Sequence, residues 1–346
     1  MICPVCYCDY SELHKLFTCE SFDDSYLYKD IVIKKCNNCG HQFNEITSKE
    51  LRNLQKYYEE EYAPINLSSE DKAGDRPGSN NKATIERYEQ LFTFMCRYFN
   101  PDSRVLDVGC AMGGFMKYLE ERGALDVCGI EPIESYVKKA NNSDINLGNV
   151  YSIPFPDNSF DIVILDQVLE HLANPRLAMK EIKRVLDKGG LCCISVPDAN
   201  RYYNDYFYFM REHLQHFNLT GLKLLAEASG FELLNFRESE NDMIGDLPLP
   251  NLTIMLKVTG TIYCWGIGRE FMYYYPHTRL RNLDLILIDD TPEKQNKTFK
   301  GMKIHSSDIL KEADKDSFLI ITAMVHEDVL KRKAKELGYK GEIISV

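Results

Sequence analysis

The sequence predicts an α/β protein: a mostly parallel sheet with helices on both faces, a second and smaller unit of the same kind after it, and a cysteine-bound module before it. Three observations carry this. From residue 103 onward, short apolar, β-branched runs alternate with helical patterns, which is how a parallel sheet with crossover helices reads. The alternation starts again at about residue 259. Two Cys-x-x-Cys pairs, Cys3/Cys6 and Cys36/Cys39, stand within one short N-terminal stretch.

Each element has its own signal. Residues 47–62 carry Leu51, Leu54, Tyr57, Tyr58 and Tyr62 near helical spacing. Residues 63–82 are rich in Ser, Asn, Asp, Gly and Pro and read as a loop. A helix is expected over 82–99, with Ile85, Tyr88, Leu91, Phe92, Met95 and Phe99 on one face. Strands are expected at 104–108, 127–130, 145–147, 162–165, 191–196, 231–236 and 252–258, and helices at 113–122, 133–141, 175–187 and 221–229. In the last part, strands are expected at 261–265, 285–288 and 318–322. The boundaries that follow are 1–62 for the metal module and its helical extension, 63–82 for a linker, 83–258 for the central domain and 259–346 for a smaller C-terminal Rossmann-like domain.

Bulk composition narrows the function. The chain has 346 residues, 44% of them hydrophobic and 27% charged, as soluble globular chains do. No apolar run approaches the ~20 residues that cross a bilayer, and Met1-Ile2-Cys3-Pro4-Val5-Cys6 does not open like a signal peptide. A cytoplasmic location is therefore expected, and the twelve cysteines read as thiols or metal ligands. A net charge of -11 disfavours a general polyanion binder, because phosphate backbones recruit Lys and Arg.

The paired cysteines have metal-ligand spacing. Two cysteines two residues apart reach one ion around a tight turn, and four thiolates close a tetrahedral site. Cys3, Cys6, Cys36 and Cys39 are the expected ligands of a structural Zn2+. So small a module has little core, and the metal would supply much of its folding energy. Cys8, Cys19 and His41 lie nearby without that spacing.

The strongest chemical signal is Val105-Leu106-Asp107-Val108-Gly109-Cys110-Ala111-Met112-Gly113-Gly114. A buried strand runs into a small-residue loop that opens a helix. Gly109 and Gly113 let the backbone come close to a ligand, and Asp107 can hold an ammonium group. Glu131, closing the next strand, can accept two ribose hydroxyls. These segments, with 148–160, Asp166-Gln167-Val168-Leu169-Glu170-His171 and Arg184-Val185-Leu186-Asp187-Lys188-Gly189-Gly190, resemble class I S-adenosylmethionine-dependent methyltransferases over roughly residues 80–258. The resemblance implies S-adenosyl-L-methionine as cofactor, held by Asp107, Gly109, Cys110, Gly113, Glu131, Asn149, Val150 and Asp166. Asn149 stands where that family carries an acidic residue toward adenine.

Arg211-Glu212-His213-Leu214-Gln215-His216-Phe217 resembles the Glu-His-x-x-x-Phe segment of zinc-containing deoxysugar C-methyltransferases, which share the three-part layout. Ile288-Asp289-Asp290-Thr291-Pro292-Glu293-Lys294-Gln295 resembles their C-terminal domain. That resemblance implies His213 as general base and a nucleotide-activated sugar or related carbohydrate as substrate. Met210 stands where that family has a tyrosine, which leaves carbon, oxygen and nitrogen acceptors open. Tyr206 and Tyr208 lie outside the matching register, and His171 and His216 read as structural. Gly266-Ile267-Gly268 lacks a third glycine and is weak evidence for a second cofactor. Two other functions remain: a ribosomal RNA methyltransferase, which Cys3–Phe43 partly resembles, and a non-catalytic scaffold.

Overall fold

The computed structural model describes residues 2–7, 13–19, 31–64, 82–140, 142–204, 209–243 and 247–345. Cys8, Tyr206, Tyr208 and most of the expected loop 63–82 lie outside these residues, and so does the side chain of Cys19. The chain divides into two compact units, Met1–Leu225 with Leu233–Lys257, and Ala226–Glu232 with Val258–Val346.

The N-terminal strands are β1 (Leu13–Cys19), β2 (Ile31–Cys36) and β3 (Gln42–Asn44). Helix α1 (Ser48–Tyr57) follows. Its start is a reciprocal cap: Thr47 Oγ1 accepts the Glu50 N–H at 3.2 Å and Glu50 Oε2 accepts the Thr47 N–H at 2.7 Å, an arrangement that satisfies two orphan donors. The helix expected over 47–62 does not run through as one α-helix. It widens at Tyr58–Tyr62 into a π turn, a local distortion often found at functional sites.

Helix α2 (Lys82–Met95) ends before the expected residue 99, and Cys96–Tyr98 tightens into a 3-10 turn. Tyr88, Leu91 and Met95 of this helix are buried with Val105, Phe115, Met116 and Leu119 in the central core. Ile85, read as part of that face, is exposed. Burying side chains of this size stabilises by roughly 1.5–3 kcal/mol each.

The central strands are β4 (Arg104–Val108), β5 (Asp126–Glu131), β6 (Ile145–Leu147), β7 (Phe160–Asp166) and β8 (Leu186–Pro197). After β9 (Gln215–His216) come β10 (Phe231–Met243) and β11 (Leu247–Val258). Seven of them form one sheet, in the order β10-β11-β8-β7-β4-β5-β6. β4 pairs in parallel with both β5 and β7, so the chain order reverses at β4. Ligands bind at the carboxyl ends of strands at such a switch point. β8 starts earlier than the expected residue 191, because Leu186 pairs with Phe160 across a register shift.

Helices α3 (Gly114–Glu120), α4 (Glu134–Ala140), α5 (Pro175–Val185) and α6 (Leu219–Ala228) connect these strands. In α5 the start is set by Asn174, whose Oδ1 accepts the Leu177 N–H at 3.1 Å, and by Pro175 in the first turn. Ala178, Met179, Ile182 and Val185 form its buried face, at the spacing of one helical stripe.

β9 does not belong to the large sheet. It pairs antiparallel with β3, Gln42 opposite His216 and Phe43 opposite Gln215, and completes the N-terminal sheet in the order β1-β2-β3-β9.

The C-terminal strands are β12 (Ile262–Trp265), β13 (Leu285–Ile288), β14 (Thr298–Phe299), β15 (Met302–His305), β16 (Phe318–Ile321) and β17 (Glu342–Ser345). They form a sheet in the order β14-β15-β13-β12-β16-β17, with helices α7 (Arg269–His277) and α8 (Glu327–Glu336). Asp289, just after β13, accepts the Ile267 N–H at 2.9 Å and the Lys294 ammonium at 2.8 Å. Among the described residues, no helix is long and apolar enough to cross a membrane.

Candidate functional site

The loop after β4 is built from left-handed residues: Gly109 at φ 73°, Ala111 at 49° and Gly113 at 77°. At Gly109 a side chain is excluded twice, by its backbone conformation and by Val168, whose Cγ2 would lie 2.6 Å from a Cβ. The loop is tied to β5 by the Gly109 N–H, which donates to the Ile130 carbonyl at 2.8 Å. Cys110 is buried beneath it, and burial pushes its thiol well up.

Glu131 ends β5 buried, with Oε2 accepting the Ala111 N–H at 3.0 Å and Oε1 accepting the Ile133 N–H at 2.8 Å. Burial raises its carboxyl to about 7, and the two N–H donors pull the other way. Each oxygen keeps a second acceptor position, which suits a pair of hydroxyls. Asp107 is buried beside it. Burial first, then the Asp166 and Glu131 carboxylates, push it up to about 8, against the pull of Arg87. Arg87, on α2, forms a mostly buried ion pair with Asp166 at the end of β7. No pattern in the sequence pointed to Arg87.

The structure thus gathers Asp107, Gly109, Cys110, Gly113, Glu131 and Asp166 at the carboxyl ends of β4, β5 and β7. Val150 is buried in the turn after β6. Asn149 folds onto its own turn, Oδ1 accepting the Tyr151 N–H at 2.9 Å. The set fits an amino-acid-bearing nucleoside: buried carboxyls for an ammonium, a guanidinium for a carboxylate, and Glu131 for a ribose.

A second cluster follows directly from β7. His171 closes the 3-10 turn Leu169–His171. Its ring centroid is 5.0 Å from that of His213, so the structure brings together two histidines far apart in sequence. Tyr58, at the start of the π turn, places its Oη 2.9 Å from His171 Nδ1, and the Glu212 carbonyl lies 3.0 Å from the same nitrogen. Burial lowers His171 to about 4, so its ring is neutral. Glu212 is raised to about 7 by burial, against a hydrogen bond from Tyr57. Glu170 is buried with neither carboxyl oxygen bonded among the described residues, and burial raises it to about 8. Ligand atoms of Glu170, His171 and His213 lie within 4.8 Å of one another. By sequence His171 reads as structural and Tyr58 as a helix-face residue. Only the fold places them here.

The four cysteines also converge. Cys3 Sγ is 3.6 Å from Cys39 Sγ, and Cys6 Sγ is 3.7 Å from Cys36 Sγ. A tetrahedron with Zn–S bonds of about 2.3 Å has edges of about 3.8 Å, so the thiols fit a zinc ion. Both knuckles turn alike: the Tyr7 N–H donates to the Cys3 carbonyl at 3.0 Å and the Gly40 N–H to the Cys36 carbonyl at 2.8 Å. The protein is expected to carry about one zinc per chain by atomic absorption. Cys36→Ser should lose most of it, and a zinc content unchanged in that variant would remove Cys36 from the ligand set.

Residues 81–235 match the family model of a methyltransferase domain. An uncharacterised methyltransferase of Schizosaccharomyces pombe is 40% identical over 129 residues, 32% of this chain and 45% of that protein. A 2-methyl-6-phytyl-1,4-hydroquinone methyltransferase of Synechocystis is 29% identical over 102 residues, 28% of this chain and 32% of that protein. The 24-methylenesterol C-methyltransferase 2 of Arabidopsis thaliana is 30% identical over 125 residues, 33% of this chain and 34% of that protein. The chain spans less than half the length of each of these relatives.

Proposed function

From the class I S-adenosylmethionine-dependent methyltransferase domain at residues 81–235, we propose that this protein methylates a carbohydrate, most specifically a nucleotide-activated sugar, with His213 as general base. The observation that carries this reading is the continuity of the two clusters. Asp166 ends β7 among the cofactor-type carboxyls, and Leu169–His171 just beyond it meets His213.

When bound, S-adenosylmethionine supplies an electrophilic methyl group on a sulfonium. Asp107 would hold its ammonium, the Arg87–Asp166 pair would meet its amino-acid end, and Glu131 would accept from its ribose hydroxyls. The Gly109–Gly113 loop admits its backbone-near atoms. His213 takes the proton from the acceptor carbon, oxygen or nitrogen as that atom becomes nucleophilic. His171 is neutral, held at Nδ1 by the Glu212 carbonyl or by Tyr58. Tyr58 and Tyr62 stack edge to face at 5.5 Å, and Tyr62 packs against the Ala63–Ala111–Tyr136 cluster. The cysteine module holds Zn2+ as a structural ion, and the location is cytoplasmic. The acidic charge of -11 favours this over an RNA substrate.

The test is incubation with S-adenosylmethionine and a panel of nucleotide sugars, 4-keto-6-deoxy forms included, read by mass spectrometry. A methyl gain on one sugar supports the proposal, and fragmentation tells carbon from oxygen or nitrogen. No gain on any sugar, with methylation of ribosomal RNA, overturns the substrate class. Failure to bind S-adenosylmethionine at all would revive the scaffold reading.

The buried carboxyls also set a pH dependence. Asp107 and Glu131 sit above their unfolded values, at about 8 and about 7. Groups raised in the fold contribute stability that is full below the unfolded carboxylate value and is lost as pH rises through the folded one. The unliganded protein is therefore expected to melt lower at pH 8.5 than at pH 6.5. Asp107→Asn should flatten part of that slope in a calorimetric scan. A Tm independent of pH over this range counts against the assignment.

A further inference from the structure

The segment that carries His213 is held from the N-terminal module, not only from the central sheet. Asn44, the last residue of β3, reaches it on both sides of the histidine. Asn44 Nδ2 donates to the Met210 carbonyl at 2.9 Å. The Asn44 backbone N–H donates to the Leu214 carbonyl at 2.9 Å. Asn44 Oδ1 lies 2.8 Å from His216 Nε2. The amide has one orientation that satisfies this set: its nitrogen must face the Met210 carbonyl, so its oxygen accepts, and His216 carries its proton on Nε2. Beside it, His41 Nε2 and Gln215 Oε1 are 2.9 Å apart, and Glu50 of α1 accepts from Arg211 at 3.0 Å.

The same strand is continuous with the cysteine centre. The Cys36 N–H donates to the His41 carbonyl at 2.9 Å, so the second knuckle closes directly onto the start of β3. Asn44, His41, Gln215 and His216 are all buried. Buried polar groups that satisfy one another hold a single arrangement, and removing one member leaves the others unpaired.

We propose that Asn44 is a positioning residue for His213, and that the Cys3–Cys6–Cys36–Cys39 centre sets the geometry of the substrate-side segment through β3. The N-terminal module is then a working part of the active site. The catalytic half of this proposal rests on His213 being the base. The structural half does not.

The test is hydrogen exchange read by mass spectrometry on the whole zinc-loaded chain with S-adenosylhomocysteine bound. The samples are wild type, Asn44→Ala, Asn44→Asp and wild type stripped of zinc by a chelator. Asn44→Asp keeps the shape and loses the donor to Met210. Peptides covering 209–217 are expected to exchange at least tenfold faster in all three altered samples. Peptides covering β4 and β7 should be unchanged, S-adenosylhomocysteine affinity should stay within twofold, and zinc should stay at one per chain in both Asn44 variants. With an acceptor in hand, kcat should fall at least tenfold in Asn44→Asp while KM for S-adenosylmethionine stays put. Unaltered exchange of 209–217 after zinc removal overturns the link to the metal, and unaltered exchange in both variants overturns the role of Asn44. Where one variant loses protection everywhere, the other variant decides the role of Asn44 and the stripped wild type decides the link to the metal. If exchange responds as expected but His213→Ala keeps full turnover, the base assignment falls and the coupling stands.

Discussion

His213→Ala is expected to lower methyl transfer by about 10²–10⁴-fold, the span that a positioned acid or base contributes. S-adenosylhomocysteine affinity, read by calorimetry, should stay within twofold. The separation follows from the two clusters: His213 meets His171, whereas the carboxyls suited to the cofactor belong to β4, β5 and β7. A large loss of cofactor affinity in this variant would place His213 in the wrong half of the site. Unchanged turnover would mean that the acceptor needs no base or finds another one, and Glu212 is then the group to replace next.

Gly109→Val carries the second large effect, in the opposite half. Two penalties add. An L-residue held at φ 73° in the left-handed region costs roughly 1–2 kcal/mol. Its Cβ would also lie 2.6 Å from Val168 Cγ2. Val168 leads into Leu169–His171, so pushing it aside displaces the histidine turn as well. Cofactor affinity should drop by at least about 100-fold, equivalent to about 2.8 kcal/mol, with far-ultraviolet circular dichroism little changed. Binding within threefold of wild type would show that the backbone does not approach the ligand at this loop.

Much of this architecture was legible in the sequence. The strands at 104–108, 145–147 and 285–288 match the observed β4, β6 and β13, because buried parallel strands read as short apolar runs between turn residues. The cysteine pairs were legible because metal spacing is local. His171 beside His213, and Tyr58 on His171, were not. Tyr58 and His171 are 113 positions apart, and neither breaks its own local pattern. Arg87 sits on a helix whose sequence signal is its apolar face, and its ion pair with Asp166 spans 79 positions. Gln215 and His216 form a strand of two residues, too short for any alternation to register. Contacts of this kind are set by the fold, and periodicity carries no trace of them.

The last strand of the N-terminal sheet has a consequence for how the chain is made. β9 is the outer neighbour of β3, yet His216 stands 172 positions after Asn44. On a ribosome adding about 5–20 residues per second, roughly nine to thirty-four seconds pass between the two. During that interval β3 presents an open edge, because its partner strand does not yet exist. The N-terminal sheet is completed only once the central domain has been synthesised and delivers β9 back to it.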